Sequence, residues 1–240
     1  MSLTRGRALA VLVMAMLGAG LFLAVDASRH TNSRYDGDLA RAVQGWDAPG
    51  LSATLEFVNE FTNFYPSAAI WSAILAFLIW RRYRVEAFVL LISAVAFWGA
   101  EALGVLVNRP RPSPELVHVS KALIGNGFPS GHVFGAVIFY GLLTGVALRR
   151  VRWLPVRLLA PALGVSIVAT AAVARVYLGA HWPSDVLGGF LLGSVTLAGL
   201  LWVYAGLSAG CIEFLGLEFR ITSLGERTSG LSLEAAPIAS

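Results

Sequence analysis

"PSGHVFGAVIFYGLLTGVALRR", residues 129–150, decides how this chain is read. From Val133 to Leu148 no side chain carries a charge, and Arg149-Arg150 closes the run. About 20 mainly apolar helical residues span the ~30 Å hydrocarbon core of a bilayer. Inside lipid the backbone must satisfy its own hydrogen bonds, which a helix does within one segment. The stretch therefore predicts a membrane-crossing helix. One end carries arginines, and the other opens on Pro-Ser-Gly-His.

Composition extends that reading to the whole chain. Of 240 residues, 57% are hydrophobic and 13% are charged, where soluble domains carry about 25% charged residues. The mean hydropathy is +0.71. Too little polar surface exists to coat a globule, so lipid must cover part of it. Six stretches match a span: 8–25, 66–80, 86–107, 131–148, 157–174 and 186–207. The first resembles a signal peptide in its leading Arg5 and Arg7, but its apolar run exceeds the usual 7–15 residues. It is expected to stay as a span. The expected fold is an all-α polytopic membrane helical bundle, one domain over 1–210, followed by a cytoplasmic tail at 211–240.

Arginine placement orients the bundle. Arg5 and Arg7, then Arg81, Arg82 and Arg84, then Arg149, Arg150, Arg152 and Arg157 fall on one side if there are six spans. That side, with both termini, is expected to be cytoplasmic, and a bacterial inner membrane is the expected setting. The opposite segment 26–65 is acidic. Within it Leu51, Leu55, Val58 and Phe61 line one face of an expected interfacial helix over 51–64. The positive charge is almost all arginine, since Lys121 is the only lysine, and no basic stripe of the nucleic-acid kind exists. The single Cys211 excludes an internal disulfide and a cysteine metal cluster.

Arg109, Arg111, Lys121 and Arg175 lie in outer connections, against the positive-inside bias. An anionic ligand would account for them. Three segments gather there: "NRPRP" at 108–112, "FPSGH" at 128–132 and "ARVYLGAHWPSD" at 174–185. Pro129 suits a first helical turn. That would leave the Ser130 and Gly131 amides among the unpaired donors at a helix N-terminus, where a phosphate is favoured. Glycine admits a ligand close to the backbone. His132 is placed to act as a general acid. Pro183 opens the last span, and Asp185, four residues after His181, is expected to reach one of its imidazole nitrogens and leave the other to attack. Arg111 and Arg175 offer planar forks that match phosphate oxygens. The set suits phosphoryl transfer through a phosphohistidine, with no cofactor and no metal expected.

"RPRP", "PSGH" and "R-x5-H-x3-D" resemble the three signature blocks of the type 2 phosphatidic acid phosphatases, a family of integral membrane lipid phosphate phosphatases. The resemblance covers most of residues 50–207. It implies His181 as nucleophile, Asp185 as its orienting partner and His132 as the acid. Arg111, Ser130, Gly131 and Arg175 would hold the phosphate. Soluble vanadium haloperoxidases share this anion site, but six apolar spans argue against that branch. The family pattern is broken at two places. Gly104, counted back from Arg111-Pro112, or Ala102, counted from Arg109-Pro110, stands where the first block has a lysine, and Ala174 where the third has a serine. Arg109, two residues from Arg111, is expected to supply the missing phosphate-binding charge.

The implied activity is hydrolysis of a lipid phosphate or diphosphate at the outer face. The alternatives are a lipid phosphotransferase with the same site and a non-catalytic lipid-phosphate binding or transport protein. Glu101 is expected to face the bundle with a polar partner, a substrate-facing role being the alternative, and His118 to lie on a loop surface. The tryptophans read mostly as interface anchors. Gly141, Gly145, Gly189 and Gly193 suit close helix packing.

Overall fold

The computed structural model describes residues 3–30, 34–120 and 124–209. The expected tail at 211–240 and Lys121 lie outside the described residues. Eight helices follow one another: α1 (Leu3–Arg29), α2 (Arg34–Gln44), α3 (Leu51–Phe61), α4 (Phe64–Trp80), α5 (Arg84–Val107), α6 (Gly131–Arg150), α7 (Leu154–Tyr177) and α8 (Pro183–Ser208). Among the described residues there is no strand.

Five of these helices, α1, α5, α6, α7 and α8, are long and apolar enough to cross a bilayer. The sixth expected span is more complicated. α4 has 17 residues, roughly 25 Å at 1.5 Å per residue, which falls short of the ~30 Å core. It reaches span length only together with α3, and the two are bent by 54° at residues 62 and 63. α3 is the helix expected over 51–64. Leu55 is buried, Leu51 and Val58 are half-buried and Phe61 is exposed. The helix α2 was not expected: its acidic, arginine-bearing sequence lacks an apolar run, and contacts with α7 and α8 hold it in place.

α6 and α8 form the centre, flanked by α1, α5 and α7. Their seam is set by small residues, as the sequence predicts. A Cβ on Gly189 would lie 2.6 Å from the Ser130 carbonyl oxygen, and one on Gly193 3.2 Å from that of Phe134. Gly141 abuts Leu197 and Gly145 abuts Leu201 in the same way. Phe128, Phe134, Ile138, Leu142, Leu192, Leu200 and Leu207 fill the core. The outer faces expose Val11, Met14, Phe22, Leu159, Val165 and Trp202, which only lipid can cover without a large hydrophobic cost. Trp46, Trp80, Trp98 and Trp153 are also exposed, as anchors should be, whereas Trp182 is 1% exposed and belongs to the interior.

The helix ends sort into two poles. At one pole Arg150 meets the Glu86 carboxylate at 2.7 Å, and the Tyr204 hydroxyl donates to the same oxygen at 2.9 Å. This clamps the start of α5 to the ends of α6 and α8. At the other pole, α5 and α7 finish and α6 and α8 begin, and all three motif-bearing segments meet there.

Candidate active site

Local backbone chemistry brings the segments together. Asn108 ends α5 in the left-handed region (φ 50°), a conformation asparagine tolerates better than most residues. The chain turns there and carries Arg109 and Arg111 back over the pole. At the end of α7, Gly179 takes φ +66°. The Ala180 and His181 amides then fold back onto the Arg175 carbonyl, at 3.0 and 3.1 Å. That turn is what the R-x5-H spacing encodes: it sets the histidine over the arginine's own turn.

His181 is 2% exposed. Its Nδ1 lies 2.7 Å from the Gly127 carbonyl oxygen. A carbonyl only accepts, so Nδ1 carries the proton and Nε2 the lone pair. An Arg111 N–H donates to Nε2 at 3.0 Å and to the Ala180 carbonyl at 2.9 Å. Burial, then the charges of Arg111, His132 and Arg175, hold the imidazole well below its ordinary pKa. A neutral imidazole, whose Nε2 lone pair here accepts from Arg111, is the form that can attack phosphorus. Burial also lowers the Arg111 guanidinium, against the attraction of Asp185 and Glu101.

Asp185 lies over the same imidazole nitrogen as its spacing suggests, but at 3.9 Å, an ion-pair distance for a protonated ring and too long for a hydrogen bond. One carboxylate oxygen accepts the Trp182 amide at 2.9 Å, and the other accepts from Arg109 at 2.6 Å. An i,i+4 carboxylate at a helix start has the helix's own amides within easier reach. The imidazole is instead oriented by Gly127, whose amide donates to the Arg109 carbonyl at 2.7 Å. A Cβ on Gly127 would lie 3.1 Å from both the Asp185 carboxylate and the Pro110 carbonyl, so a side chain would break this contact set.

Arg109 also differs from expectation. It is 1% exposed and lies between Asp185 and Asp36 of α2, 2.6 and 2.7 Å away, with the Ser184 hydroxyl at 2.6 Å. Asp36 in turn accepts the Ser184 amide at 2.8 Å and hydroxyl at 2.6 Å. The Arg109 charge is matched by two carboxylates rather than offered to a ligand. Those partners outweigh burial and raise its pKa.

The remaining groups lie where α6 begins and α7 ends, a region called the cradle below. α6 starts at Gly131 with Ser130 as its N-cap, so Pro129 precedes the helix instead of opening its first turn. The Ser130 amide is occupied by the Asp185 carbonyl at 3.0 Å, which displaces the helix start by one residue. The first helical bond runs from the Phe134 amide to the Ser130 carbonyl, which leaves the Gly131, His132 and Val133 amides without helical partners. Buried and without a partner at the same pole are Ser130 Oγ, Arg111 Nε and Arg175 Nε, together with Trp182 Nε1 and Asn59 Oδ1. His132 Nε2 lies 3.2 Å from Asn63 Oδ1.

Glu101 is exposed on α5 and lies against Gly131: a Cβ there would be 2.6 Å from its carboxylate oxygen. It faces the cradle, the alternative to the expected bundle-facing position. His118 is exposed as expected. Gly104 lies beneath the Phe128 carbonyl, 3.0 Å from where its Cβ would be. The lysine's place is therefore filled by backbone. Among the described residues no three His, Cys, Asp or Glu side chains converge as metal ligands.

The PAP2 superfamily model matches residues 84–208, more than half of the chain. The chain belongs to the PAP2 superfamily. This PAP2 chain is 30% identical to an undecaprenyl-diphosphatase of Sulfolobus acidocaldarius over 148 residues, covering 59% of this chain and 67% of that protein. Its fold matches the crystal structure of a transmembrane PAP2 type phosphatidylglycerolphosphate phosphatase from Bacillus subtilis. The TM-score is 0.70 at 22% identity, over 84% of this chain and 98% of that one. The protein is thus an all-helical integral membrane member of the PAP2 superfamily. Asp36 and Asn63 escaped sequence reading. Both lie outside the three blocks, and neither has a spacing that links it to them.

Proposed function

We propose that this PAP2 protein is a membrane phosphatase that removes phosphate from a lipid phosphate or diphosphate. The observation that carries the reading is that Ser130 Oγ, Arg111 Nε and Arg175 Nε are buried without a partner on the three segments that meet at this pole, where an Arg111 N–H lies 3.0 Å from His181 Nε2. Buried donors left unpaired, two of them on guanidinium groups, suit an oxyanion. Arg111, Arg175, Ser130 and the Gly131 amide hold the phosphate. Arg109 leaves that set and joins the frame beneath it.

His181 Nε2 attacks phosphorus, and the bond to the leaving oxygen breaks. His132 gives that oxygen a proton, which releases the lipid alcohol or lipid phosphate. Water then attacks the phosphohistidine, His132 takes its proton, and the P–N bond breaks to return neutral His181. The guanidinium groups and the α6 N-terminus stabilise the charge that builds on the equatorial oxygens. Asp185 acts as a positioning residue, through Arg109 and the Gly127 loop. The arginine-rich pole is placed on the cytoplasmic side by the positive-inside rule, so the site opens outward. Residues 1–210 form the catalytic membrane domain.

The test is a rapid quench of the purified protein in detergent with radiolabelled lipid phosphate. An acid-labile, alkali-stable phosphoenzyme is expected in the parent and not in His181→Ala, with EDTA without effect. Phosphate release by His181→Ala at the parent rate would overturn the reading. Release from a panel of polyprenyl diphosphate, phosphatidate and phosphatidylglycerophosphate then ranks the substrates.

A further inference from the structure

Asn63 sits at the elbow between α3 and α4. Asparagine is a common helix N-cap because its side chain accepts an amide of the first turn. Here it occupies the N-cap of α4 but makes no such bond. Its Oδ1 instead lies 3.2 Å from His132 Nε2 and 3.3 Å from an Arg175 N–H donor. The same Arg175 nitrogen lies 3.5 Å from the Asn59 carbonyl. The amide's orientation is fixed from behind, since its NH2 donates to Glu60 at 2.9 Å. A flipped amide would set donor against guanidinium and oxygen against carboxylate.

We propose that Asn63 is a positioning residue of the active site, holding His132 with its proton on Nε2 and tying it to Arg175. An oxygen that accepts from Arg175 offers His132 only an acceptor, so Nε2 must carry N–H. The proton exchanged with substrate is then the one on Nδ1. Nδ1–H protonates the leaving oxygen, and the emptied Nδ1 later takes the proton of the attacking water. Nε2–H stays on Asn63 throughout, so the ring handles both protons without turning. The charged and titratable groups that face His132 are the guanidinium groups of Arg175 on α7 and Arg111 of the 108–112 segment, and the neutral imidazole of His181 in the α7–α8 turn. Glu60 stands behind Asn63, and Glu101 of α5 beside Gly131.

This rests on His132 being the acid, and the test separates the two claims. The parent, Asn63→Leu, Asn63→Asp and His132→Ala are compared on a lipid alkyl phosphate and on p-nitrophenyl phosphate, whose leaving group needs no proton. General acid help is worth about 10²–10⁴-fold. With every comparison made in kcat/KM, which reports phosphoenzyme formation and not the later hydrolysis, Asn63→Leu is expected to lose about 10- to 100-fold on the alkyl phosphate and less than about threefold on the aryl phosphate, as a misplaced acid should. Asn63→Asp places a carboxylate on Nε2–H and favours the imidazolium. The alkaline limb of its kcat/KM profile on the alkyl phosphate should rise by about one pH unit. Equal losses of Asn63→Leu on both substrates, or an unmoved limb in Asn63→Asp, would overturn the proposal. If His132→Ala itself loses equally on both substrates, the assignment of His132 fails first. Should Asn63→Leu not fold, the isosteric Asn63→Asp profile decides alone.

Discussion

Arg109 bridges Asp36 and Asp185, at 2.7 and 2.6 Å, and so joins the outer helix α2 to the start of α8. The pair of carboxylates and the guanidinium are almost wholly buried. A buried charge left without its partner is costly, about 3–5 kcal/mol. The bridge also fixes the Arg109 backbone, whose carbonyl holds the Gly127 amide.

Arg109→Ala is therefore expected to act on stability first. Two carboxylates would stay buried without a counter-charge, and Tm in detergent should fall by roughly 10 °C for a chain of this size. Asp36→Asn should fall less, since one carboxylate still faces the guanidinium. Inhibition by orthophosphate should stay within about threefold of the parent in whatever fraction folds, because Asp36, Asp185 and Ser184 engage the Arg109 guanidinium. A large loss of phosphate affinity with Tm unchanged would return Arg109 to the phosphate-binding set.

The depressed pKa of His181 sets a pH expectation. Protonation would remove the lone pair that attacks. Burial and the neighbouring cations oppose protonation, so the reactive neutral form persists below the ordinary value of about 6.5. Phosphoenzyme formation from p-nitrophenyl phosphate, followed in single turnovers, should show no midpoint near that value and should fall only at lower pH. A titration centred on the ordinary value would show His181 to be solvated and unpaired.

Glu101 places a negative charge beside the cradle and attracts Arg111. A phosphate entering there is repelled by the one and must compete for the other. Glu101→Gln should tighten orthophosphate inhibition by about 3- to 10-fold, where tenfold is 1.36 kcal/mol. Unchanged or weaker inhibition would mean the carboxylate turns away when anion binds.

The α6–α8 seam can be probed at Gly189. A Cβ there meets the Ser130 carbonyl, a backbone atom with little room to retreat. Overpacking of this kind costs about 1–3 kcal/mol. Gly189→Ala should lower Tm and raise KM together, because the residue it pushes carries a cradle donor. A lowered Tm with KM unmoved would separate the seam from the site.

Much of this was legible in the chain. Apolar runs of span length follow from the bilayer's thickness, and five long helices match them. The motif blocks announce the pole where α5 and α7 end. What the sequence hides is pairing between segments far apart. His181 and Asp185 have the spacing of partners on one helix. Yet His181 lies before the helix start, and the Trp182 amide and Arg109 reach the carboxylate sooner. Arg109 reads as a free cation because Asp36 is 73 residues away, on a helix without an apolar run. Asn63 is likewise an ordinary helix-opening asparagine until the elbow turns it toward His132. α4 reads as a complete span only because hydropathy does not register the bend that joins it to α3.

The Phe128 carbonyl over Gly104 gives the absence of a long side chain there a physical cause. With backbone filling that volume, Gly104→Lys alone would force the 126–128 loop upward and carry the Gly127 carbonyl off His181. Reinstating the charge would require the loop to retreat first, and the intermediate would lack its oriented nucleophile. Packing at position 104 thus couples the size of one side chain on α5 to the orientation of an imidazole on the α7–α8 turn.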